Sequence, residues 1–320
     1  MRKTLLATAL CVFALLSGTA LAAGDNELLV YTAADDGKLH AALAEAFSRK
    51  YPDIQVKQVI LSTGPITEKT ISERANPQAD AIYGVNSFAL EQLKNAGVLE
   101  PYAPKGTKIP ARFADADGFY VYHWLTLMVA AVNTQMMDQK GKPVPASWMD
   151  LASPIYKDAI TIAAPTKSGT GLTIFTTLKD AYGWDYIDAL HKNIFQYNSS
   201  GSAAGRQAGA GETAIGLTYD TAVINQIKAG LPVKMVFLDM TPNVKEGGAL
   251  VLGAPHPENG KKWVDFMASP EGAAVYAPFI GVPTTPGLGN IDVSKVELWE
   301  YKAPVDAAAF KKEWAQKYEK

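Results

Sequence analysis

Residues 118–133 read GFYVYHWLTLMVAAVN, a long apolar and aromatic stretch in the middle of the chain. Its large side chains are those of Tyr122, Trp124, Leu125, Leu127, Met128 and Val129. Aromatic and β-branched residues favour extended strands. Apolar runs alternate with helical patterns on both sides of the stretch. We therefore predict that it is strand-rich and carries the chain from one domain to the other.

Upstream of this stretch, three strand–helix units follow one another. The predicted strands are residues 28–31, 54–61 and 79–83. Helical spacing of apolar residues follows each of them, at 39–47, 65–75 and 88–96. Pro65 suits the first position of its helix, and Gly97 ends the third helix. Repeated units of this kind predict an α/β fold with a largely parallel sheet, whose ligand loops lie at the carboxyl ends of the strands.

The same alternation resumes downstream. Strands are predicted at 159–164, 214–218, 233–238 and 249–252, and helices at 172–181, 184–191 and 222–228. A chain of 320 residues has room for two α/β domains, each with its own core. The sequence therefore predicts two domains that the chain enters one after the other, with a return to the first after Gly247 and Gly248.

The boundaries of this arrangement are predicted as follows. One lobe comprises residues 23–124 and 247–280, the other comprises 125–246, and a C-terminal segment, 281–320, packs on the lobes. The linking strands are expected near 125–133 and 248–252.

The composition excludes several classes of protein. The chain is 48% hydrophobic and 19% charged, which excludes a disordered, collagen-like or coiled-coil chain. A net charge of −2 gives no electrostatic basis for binding nucleic acid. We expect a monomer that takes a small molecule as its partner.

The first 22 residues have the pattern of a cleaved signal peptide. Arg2 and Lys3 precede an apolar run at 5–16, which is too short to span a bilayer, and residues 20–22 read ALA. The only cysteine, Cys11, lies inside that run. The mature chain then has no thiol and forms no disulfide. These features are typical of an exported bacterial protein located in the periplasm.

Four small, hydroxyl-rich turns each stand between a predicted strand and a helix. They contain Asp35 and Asp36; Ser62, Thr63 and Gly64; Ser168, Gly169, Thr170 and Gly171; and Ser199, Ser200, Gly201 and Ser202. Unpaired N–H groups at a helix N-terminus, together with hydroxyl donors, bind phosphate, phosphonate or carboxylate groups. A single turn of this kind is more often an ordinary helix cap. Several of them in two domains favour a shared anion pocket between the domains.

Three further polar residues follow predicted strands. Tyr219 and Asp220 end the strand at 214–218, where the carboxylate can pair with an ammonium group of the ligand or cap the next helix. Asn86 is a ligand-binding candidate after the third strand. The adjacent Asp35 and Asp36 pose the same choice between a bound cation and a helix cap.

Motifs for catalysis and metal binding are absent from the sequence. The four histidines are scattered without metal-ligand spacing, and no nucleophile elbow, Walker A or dinucleotide fingerprint occurs. We therefore expect a binding protein with no metal and no cofactor, and not an enzyme.

Four segments resemble a known family. They are NPQADAIYG at 76–84, VLEPYAPKG at 98–106, SGTG at 168–171 and YIDALHKNIFQYNSSGSAAG at 186–205. They are similar to periplasmic solute-binding proteins of ABC importers, and most similar to the 2-aminoethylphosphonate-binding branch. The resemblance implies a type II fold, in which two lobes joined by crossing strands close on one ligand and dock on an inner-membrane permease.

The resemblance also implies where the ligand lies. The anion site would comprise Ser62, Thr63, the 168–171 turn and the 199–202 turn, with a second polar group near Tyr219 and Asp220. The related ferric-ion-binding and sugar-phosphate-binding branches remain alternatives. A ferric ion ranks below a phosphonate as the ligand. The ferric-ion-binding branch holds its metal with a pair of adjacent tyrosines, and this chain has no Tyr-Tyr pair. A secreted enzyme of the same fold is a third hypothesis.

Overall fold

The computed structural model describes residues 26–33, 37–289, 291–292, 295–300 and 305–319. The predicted signal peptide and the candidate residues Asp35 and Asp36 lie outside these ranges.

Three strand–helix units open the chain, as predicted. The strands are β1 (Glu27–Thr32), β2 (Gln55–Ile60) and β3 (Ala81–Asn86), and the helices are α1 (Gly37–Lys50), α2 (Thr63–Ser72) and α3 (Ser87–Asn95). A two-residue strand, β4 (Leu99–Glu100), and a 3-10 turn (Ala111–Phe113) follow. Each strand leads directly into its helix, so the three helices begin at one edge of the sheet.

The 118–133 stretch forms one strand of 14 residues, β5 (Tyr120–Asn133). It is followed by α4 (Thr134–Gln139), α5 (Trp148–Leu151), a 3-10 turn (Pro154–Tyr156), β6 (Ile160–Ala163), α6 (Gly169–His191), β7 (Ile194–Asn198), α7 (Gly201–Ala210), β8 (Ile215–Tyr219), α8 (Asp220–Lys228) and β9 (Val233–Val236). Helix α6 is interrupted at Gly183 (φ 78°), between the two helices predicted there. Strand β7 and helix α7 lie on either side of the 199–202 turn, where a strand and a helix were predicted without bounds.

The chain returns through β10 (Asn243–Val251). The remaining elements are α9 (Pro257–Ala268), α10 (Pro270–Tyr276), a 3-10 turn (Ala277–Phe279), β11 (Val282–Pro283) and α11 (Ala307–Tyr318). Among the described residues, no helix combines the length and the apolar character needed to cross a membrane. Helix α11 packs on α6, where the rings of Phe175 and Trp314 lie 4.3 Å apart.

Strand β5 is shared by two sets of strands. The main strand order is β2-β1-β3-β10-β5-β8-β6-β7. Residues 120–127 of β5 pair with β10, whereas residues 128–132 pair with β8 and residues 130–133 with β9. Within each set the outer strands are parallel, β2 with β1 and β3 on one side and β7 with β6 and β8 on the other. The predicted crossing strand and two-lobed α/β architecture are confirmed.

The return strand differs from the prediction in where it begins. It starts at Asn243 instead of near residue 248. The polar residues Lys245 and Glu246 and the glycines after them hide its strand pattern in the sequence. The predicted lobe boundaries, between residues 124 and 125 and between residues 246 and 247, stay predictions.

Gly247 and Gly248 lie where β10 passes between β3 and β5. The register of β10 shifts at this point in its pairing with β3 and also in its pairing with β5. A Cβ atom on Gly247 would lie 2.1 Å from the carbonyl oxygen of Val121, and one on Gly248 would lie 2.4 Å from that of Ile82. Only glycine fits at both positions, because the neighbouring atoms belong to the backbone and cannot rotate away.

We expect Gly247→Ala to lower the free energy of unfolding by about 1–3 kcal/mol, because the added methyl group overpacks the crossing strands. Urea unfolding followed by circular dichroism measures the change. Gly37→Ala is the matched control, since nothing lies within 4 Å of a Cβ atom there. Equal stability of the two variants would contradict the close packing described above.

Candidate ligand-binding cleft

The carboxyl ends of the two sets of parallel strands face each other across the middle of β5. Asn86, the last residue of β3, pairs with Glu246, which in turn pairs with Trp124 of β5. Tyr219, the last residue of β8, pairs with Met128 of β5. Trp124 and Met128 are four positions apart, which is about 13 Å along a strand. The loops after β3 and β8 therefore open on one region of small-molecule size.

The turn at 168–171 lies between β6 and α6. Ser168 occupies the N-cap position, but its hydroxyl makes no capping hydrogen bond. A Cβ atom on Gly171 would lie 2.2 Å from the carbonyl oxygen of Ala163, so the glycine lets the helix begin close against the end of β6. Gly169 is exposed and Thr170 is half-buried. The first turn of α6 thus lies at the carboxyl end of β6, where its first N–H groups have no partner within the helix.

The turn at 199–202 is in direct contact with the turn at 168–171. Gly201 is the first residue of α7, and a Cβ atom there would lie 2.1 Å from the hydroxyl oxygen of Thr170. Ser200, the N-cap residue, does not cap the helix, and its hydroxyl lies 3.0 Å from that of Ser202. Arg206 Nη1 donates to Ser202 Oγ at 2.7 Å. The structure therefore brings two of the predicted turns together, with a guanidinium group beside them.

A buried polar network holds the 199–202 turn in place. Asn198 Nδ2 donates to Thr161 Oγ1 and to Gln207 Oε1, both at 2.8 Å, and Thr161 Oγ1 donates to Gln207 Oε1 at 2.9 Å. Thr218 Oγ1 donates to the carbonyl oxygen of Gly201 at 2.8 Å. The network connects β6, β7 and β8 to α7. Sequence analysis missed these residues because they are far apart in the chain.

The candidate residues of the first lobe lie at the starts of α2 and α3. Ser62 is the exposed N-cap residue of α2 and makes no capping hydrogen bond through its side chain. Thr63 is half-buried and Gly64 is exposed. Asn86 caps α3, because its Oδ1 accepts a hydrogen bond from the N–H of Ala89 at 3.0 Å. A ligand-binding role of these residues stays a prediction.

Asp220 is fully buried at the junction of the lobes, directly after Tyr219 at the N-cap position of α8. Its Oδ1 accepts from the N–H of Thr221 at 2.7 Å, and its Oδ2 has no hydrogen-bond partner among the described residues. A Cβ atom on Gly281 would lie 1.9 Å from Oδ2, so this glycine packs directly against the carboxyl group. Tyr219 occupies the N-cap position of α8, and Asp220, the first helical residue, satisfies the next N–H group through Oδ1, so both its structural and its ligand-binding interpretation stay predictions.

Burial raises the pKa of Asp220 to about 7. The N–H groups of Thr221 and Leu127 oppose this rise, and the nearby carboxylate of Glu246 adds to it. A carboxyl group in this position changes its charge near neutral pH. Its Oδ2 also lacks a hydrogen-bond partner among the described residues, and an unpaired buried oxygen is costly.

Glu246 is a second carboxylate at the junction, and sequence analysis missed it. Its Oε2 accepts from the indole N–H of Trp124 at 2.8 Å, and its Oε1 accepts from the hydroxyl of Thr126 at 3.1 Å. It is half-buried and level with Asn86 in the sheet. The residue lies in the part of β10 that the sequence did not predict as a strand, so no pattern placed it near the cleft.

Two histidines, His123 and His40, are buried. His123 is buried on β5, where burial lowers its pKa to about 3, and neither ring nitrogen has a hydrogen-bond partner in the described part of the chain. His40 Nδ1 lies 2.5 Å from the hydroxyl of Tyr83. The described residues contain no group of three or more His, Cys, Asp or Glu side chains that could hold a metal ion.

Residues 28–278 match the model of a family described as bacterial extracellular solute-binding protein. The chain belongs to this family. Its relatives include "Probable ABC transporter periplasmic-binding protein y4fP" of Sinorhizobium fredii, 28% identical over 88% of this chain and 80% of the relative. "Putative 2-aminoethylphosphonate-binding periplasmic protein" of Salmonella typhimurium is 25% identical over 74% of this chain and 71% of the relative.

Solved structures of the same fold align with nearly the whole length of this chain. The periplasmic binding protein AfuA from Actinobacillus pleuropneumoniae, with fructose-6-phosphate bound, has a TM-score of 0.76 and 27% identity, over 92% of this chain and 98% of its own. Iron-bound HitA from Pseudomonas aeruginosa has a TM-score of 0.73 over 90% and 99%; its 21% identity indicates a common fold only. The family and these neighbours are binding proteins of transporters, so the chain is a binding protein and not an enzyme.

We expect the stability of this solute-binding protein to depend on pH through Asp220. The folded chain keeps a proton that the unfolded chain releases between pH 4 and pH 7, so stability falls as pH rises through this range. Asp220→Asn removes this dependence. The stability of the variant relative to the wild type should therefore rise by about 2–3 kcal/mol between pH 4.5 and pH 7.5.

Urea unfolding at the two pH values measures this difference. Glu45→Gln changes an exposed carboxylate and serves as the control, with no expected pH-dependent gain. No gain in Asp220→Asn would show that the Asp220 carboxyl group titrates alike in the folded and unfolded chains, and a gain of the same size in the control would show that the effect is not specific to Asp220.

Proposed function

We propose that the protein captures a small phosphonate or phosphorylated compound in the periplasm, as a monomer, and delivers it to an inner-membrane ABC permease. The first candidate ligand is 2-aminoethylphosphonate. The observation that carries this proposal is the contact between the two helix-initiating turns, where Thr170 packs on Gly201. Together these turns direct two helix N-termini and several hydroxyl groups at one place.

This arrangement suits a dianion. The uncapped starts of α6 and α7 each leave N–H donors and a partial positive charge. Hydroxyl groups of Ser168, Thr170 and Ser202 add neutral donors, and Arg206 adds a positive charge beside them. Hydrogen bonds to a charged acceptor are worth about 1.5–3 kcal/mol each, so a few of them compensate for removing a phosphonate from water.

The junction supplies an acceptor for a positively charged group on the ligand. Asp220 directly follows β8, and its Oδ2 has no hydrogen-bond partner among the described residues; the half-buried Glu246 lies on β10. An ammonium group there would offset the cost of burying the Asp220 charge. The anion turns and these carboxylates therefore match the two ends of 2-aminoethylphosphonate.

The similarity to known proteins supports a phosphonate or a phosphorylated compound as the ligand, but it does not distinguish between the two. One relative is named for 2-aminoethylphosphonate, and AfuA holds a sugar phosphate. A sugar-phosphate ligand is thus the second candidate, because the same turns would hold its phosphate group. A ferric ion is less well supported: the hydroxyl of Tyr197 lies 2.8 Å from His191 Nδ1, and burial raises the pKa of this tyrosine, which disfavours a phenolate ligand.

Replacing Ser168 and Thr170 together by Ala should weaken 2-aminoethylphosphonate binding at least tenfold, because two donors to the dianion are lost. Isothermal titration calorimetry gives the dissociation constants. Ser72→Ala, at the exposed C-terminal end of α2, is the control and should bind as the wild type does. An unchanged affinity of the double variant would place the anion elsewhere.

Asp220→Asn should weaken 2-aminoethylphosphonate by about 1.5–3 kcal/mol, the range for a hydrogen bond to a charged group. Ethylphosphonate lacks the amine, so its affinity should stay the same or improve slightly. Titrations at pH 8, where the carboxyl group is mostly ionised, complete a thermodynamic cycle over two ligands and two proteins.

The cycle separates three results. A selective loss for the amine ligand supports Asp220 as its partner. Equal losses for both ligands would make Asp220 a structural residue only. If neither phosphonate binds the wild-type protein, the phosphonate ligand is wrong, and titration with fructose-6-phosphate then tests the sugar-phosphate alternative.

A further inference from the structure

Three large apolar side chains at the cleft edge of the first lobe are exposed to solvent. Ile60 is 50% exposed, Leu61 is 37% exposed and Phe88 is 50% exposed. Ile60 and Leu61 lie at the carboxyl end of β2, and Phe88 is the second residue of α3. These three residues are called the apolar rim below. Most large apolar side chains of the lobe are buried, so the apolar rim is an exception.

Phe88 is the member of the apolar rim nearest to the junction. It follows Asn86 by two positions, and Asn86 is level with Glu246 and Trp124 in the sheet. The buried face of α3 comprises Ala89, Leu90 and Leu93, so Phe88 is not part of the core. Side chains of a helix tilt towards its N-terminus. Phe88 is in the first turn of α3, so this tilt carries its exposed side chain towards the helix end that follows β3 at the cleft.

The opposite edge of the cleft has a different chemistry. The turns at 168–171 and 199–202 consist of serine, threonine and glycine. These small polar residues offer hydrogen-bond donors but little apolar surface to cover a phenyl ring. The cleft therefore has one edge suited to an anion and another suited to carbon atoms.

We infer that Phe88 packs against the carbon part of the bound solute, so that the site takes an organic phosphonate or phosphate ester in preference to inorganic phosphate. This inference rests on the proposed function, because it assumes that the anion lies on the turns of the second lobe. The inference gives Phe88 a role in ligand selection, through contact with the carbon atoms of the ligand. Burial of apolar surface against the ring is the source of the selectivity.

Ethylphosphonate and inorganic phosphate are the probes, because they share an anionic head and differ in the ethyl group. Calorimetric titrations compare the wild type with Phe88→Ala and Phe88→Leu. We expect the wild type to bind ethylphosphonate more tightly than phosphate. Phe88→Ala should weaken ethylphosphonate fivefold or more and change phosphate less than twofold, with Phe88→Leu in between.

Phe195→Ala is the matched control. Phe195 is 61% exposed but lies near the start of β7, at the other end of that strand from the cleft. Both affinities should stay within twofold of the wild type. Because Phe88 and Phe195 are exposed, neither substitution removes core packing, and thermal unfolding checks that both variants are folded.

The outcomes separate this inference from the proposed function. If the wild type binds both probes and Phe88→Ala changes neither affinity selectively, the inference is overturned and the anion site stands; the apolar rim then faces the other lobe or the permease. Tighter binding of phosphate than of ethylphosphonate by the wild type also overturns it. If the wild type binds neither probe, the proposed anion site itself fails, and the inference fails with it.

Discussion

The structure depends on the hydrogen bonding of one strand to two sets of neighbours. Strand β5 has 14 residues, of which the first eight pair with β10 and the rest with β8 and β9. Its register fixes how far the end of β3 lies from the end of β8, and so fixes the width of the cleft. A shift by one residue would also turn every side chain of the strand to the opposite face. The apolar side chains of β5 are buried on both faces, which prevents such a shift.

Glycine allows the close contacts that assemble the second half of the site. A Cβ atom on Gly216 of β8 would lie 2.1 Å from the carbonyl oxygen of Ala204, so the glycine lets α7 lie directly on the strand. Gly201 likewise lets α7 begin against Thr170. These contacts bring the starts of α6 and α7 together, although α6 and β7 separate them in sequence. The proposed anion site would therefore depend on backbone packing as much as on its hydroxyl groups.

The parts of the fold that were predicted correctly are those with local signals. The units from β1 to α3 have apolar periodicity, and Gly97 ends their last helix, so spacing alone located them. Strand β7 reads IFQYN and is half polar, and α7 reads GSAAGRQAGA, which has the glycine content of a loop. Their structure comes from pairing with β6 and packing on β8. For the same reason the sequence located the hydroxyl-rich turns but not Glu246, whose place in the cleft is set by strand register.

The burial of Asp220 is the observation behind the binding role proposed for it. A structural carboxylate at a helix start uses its oxygens to satisfy N–H groups, as Oδ1 does for Thr221. Oδ2 instead has no hydrogen-bond partner among the described residues, and the Glu246 carboxylate raises the cost of ionising the group. Such an arrangement weakens the fold near neutral pH unless something donates to Oδ2. An ammonium group on the solute would do so, and the free energy regained there would contribute to binding of a ligand that carries one. Under the proposed function, a ligand without an amine has no corresponding gain, so this single oxygen would be a physical basis for selecting among phosphonates.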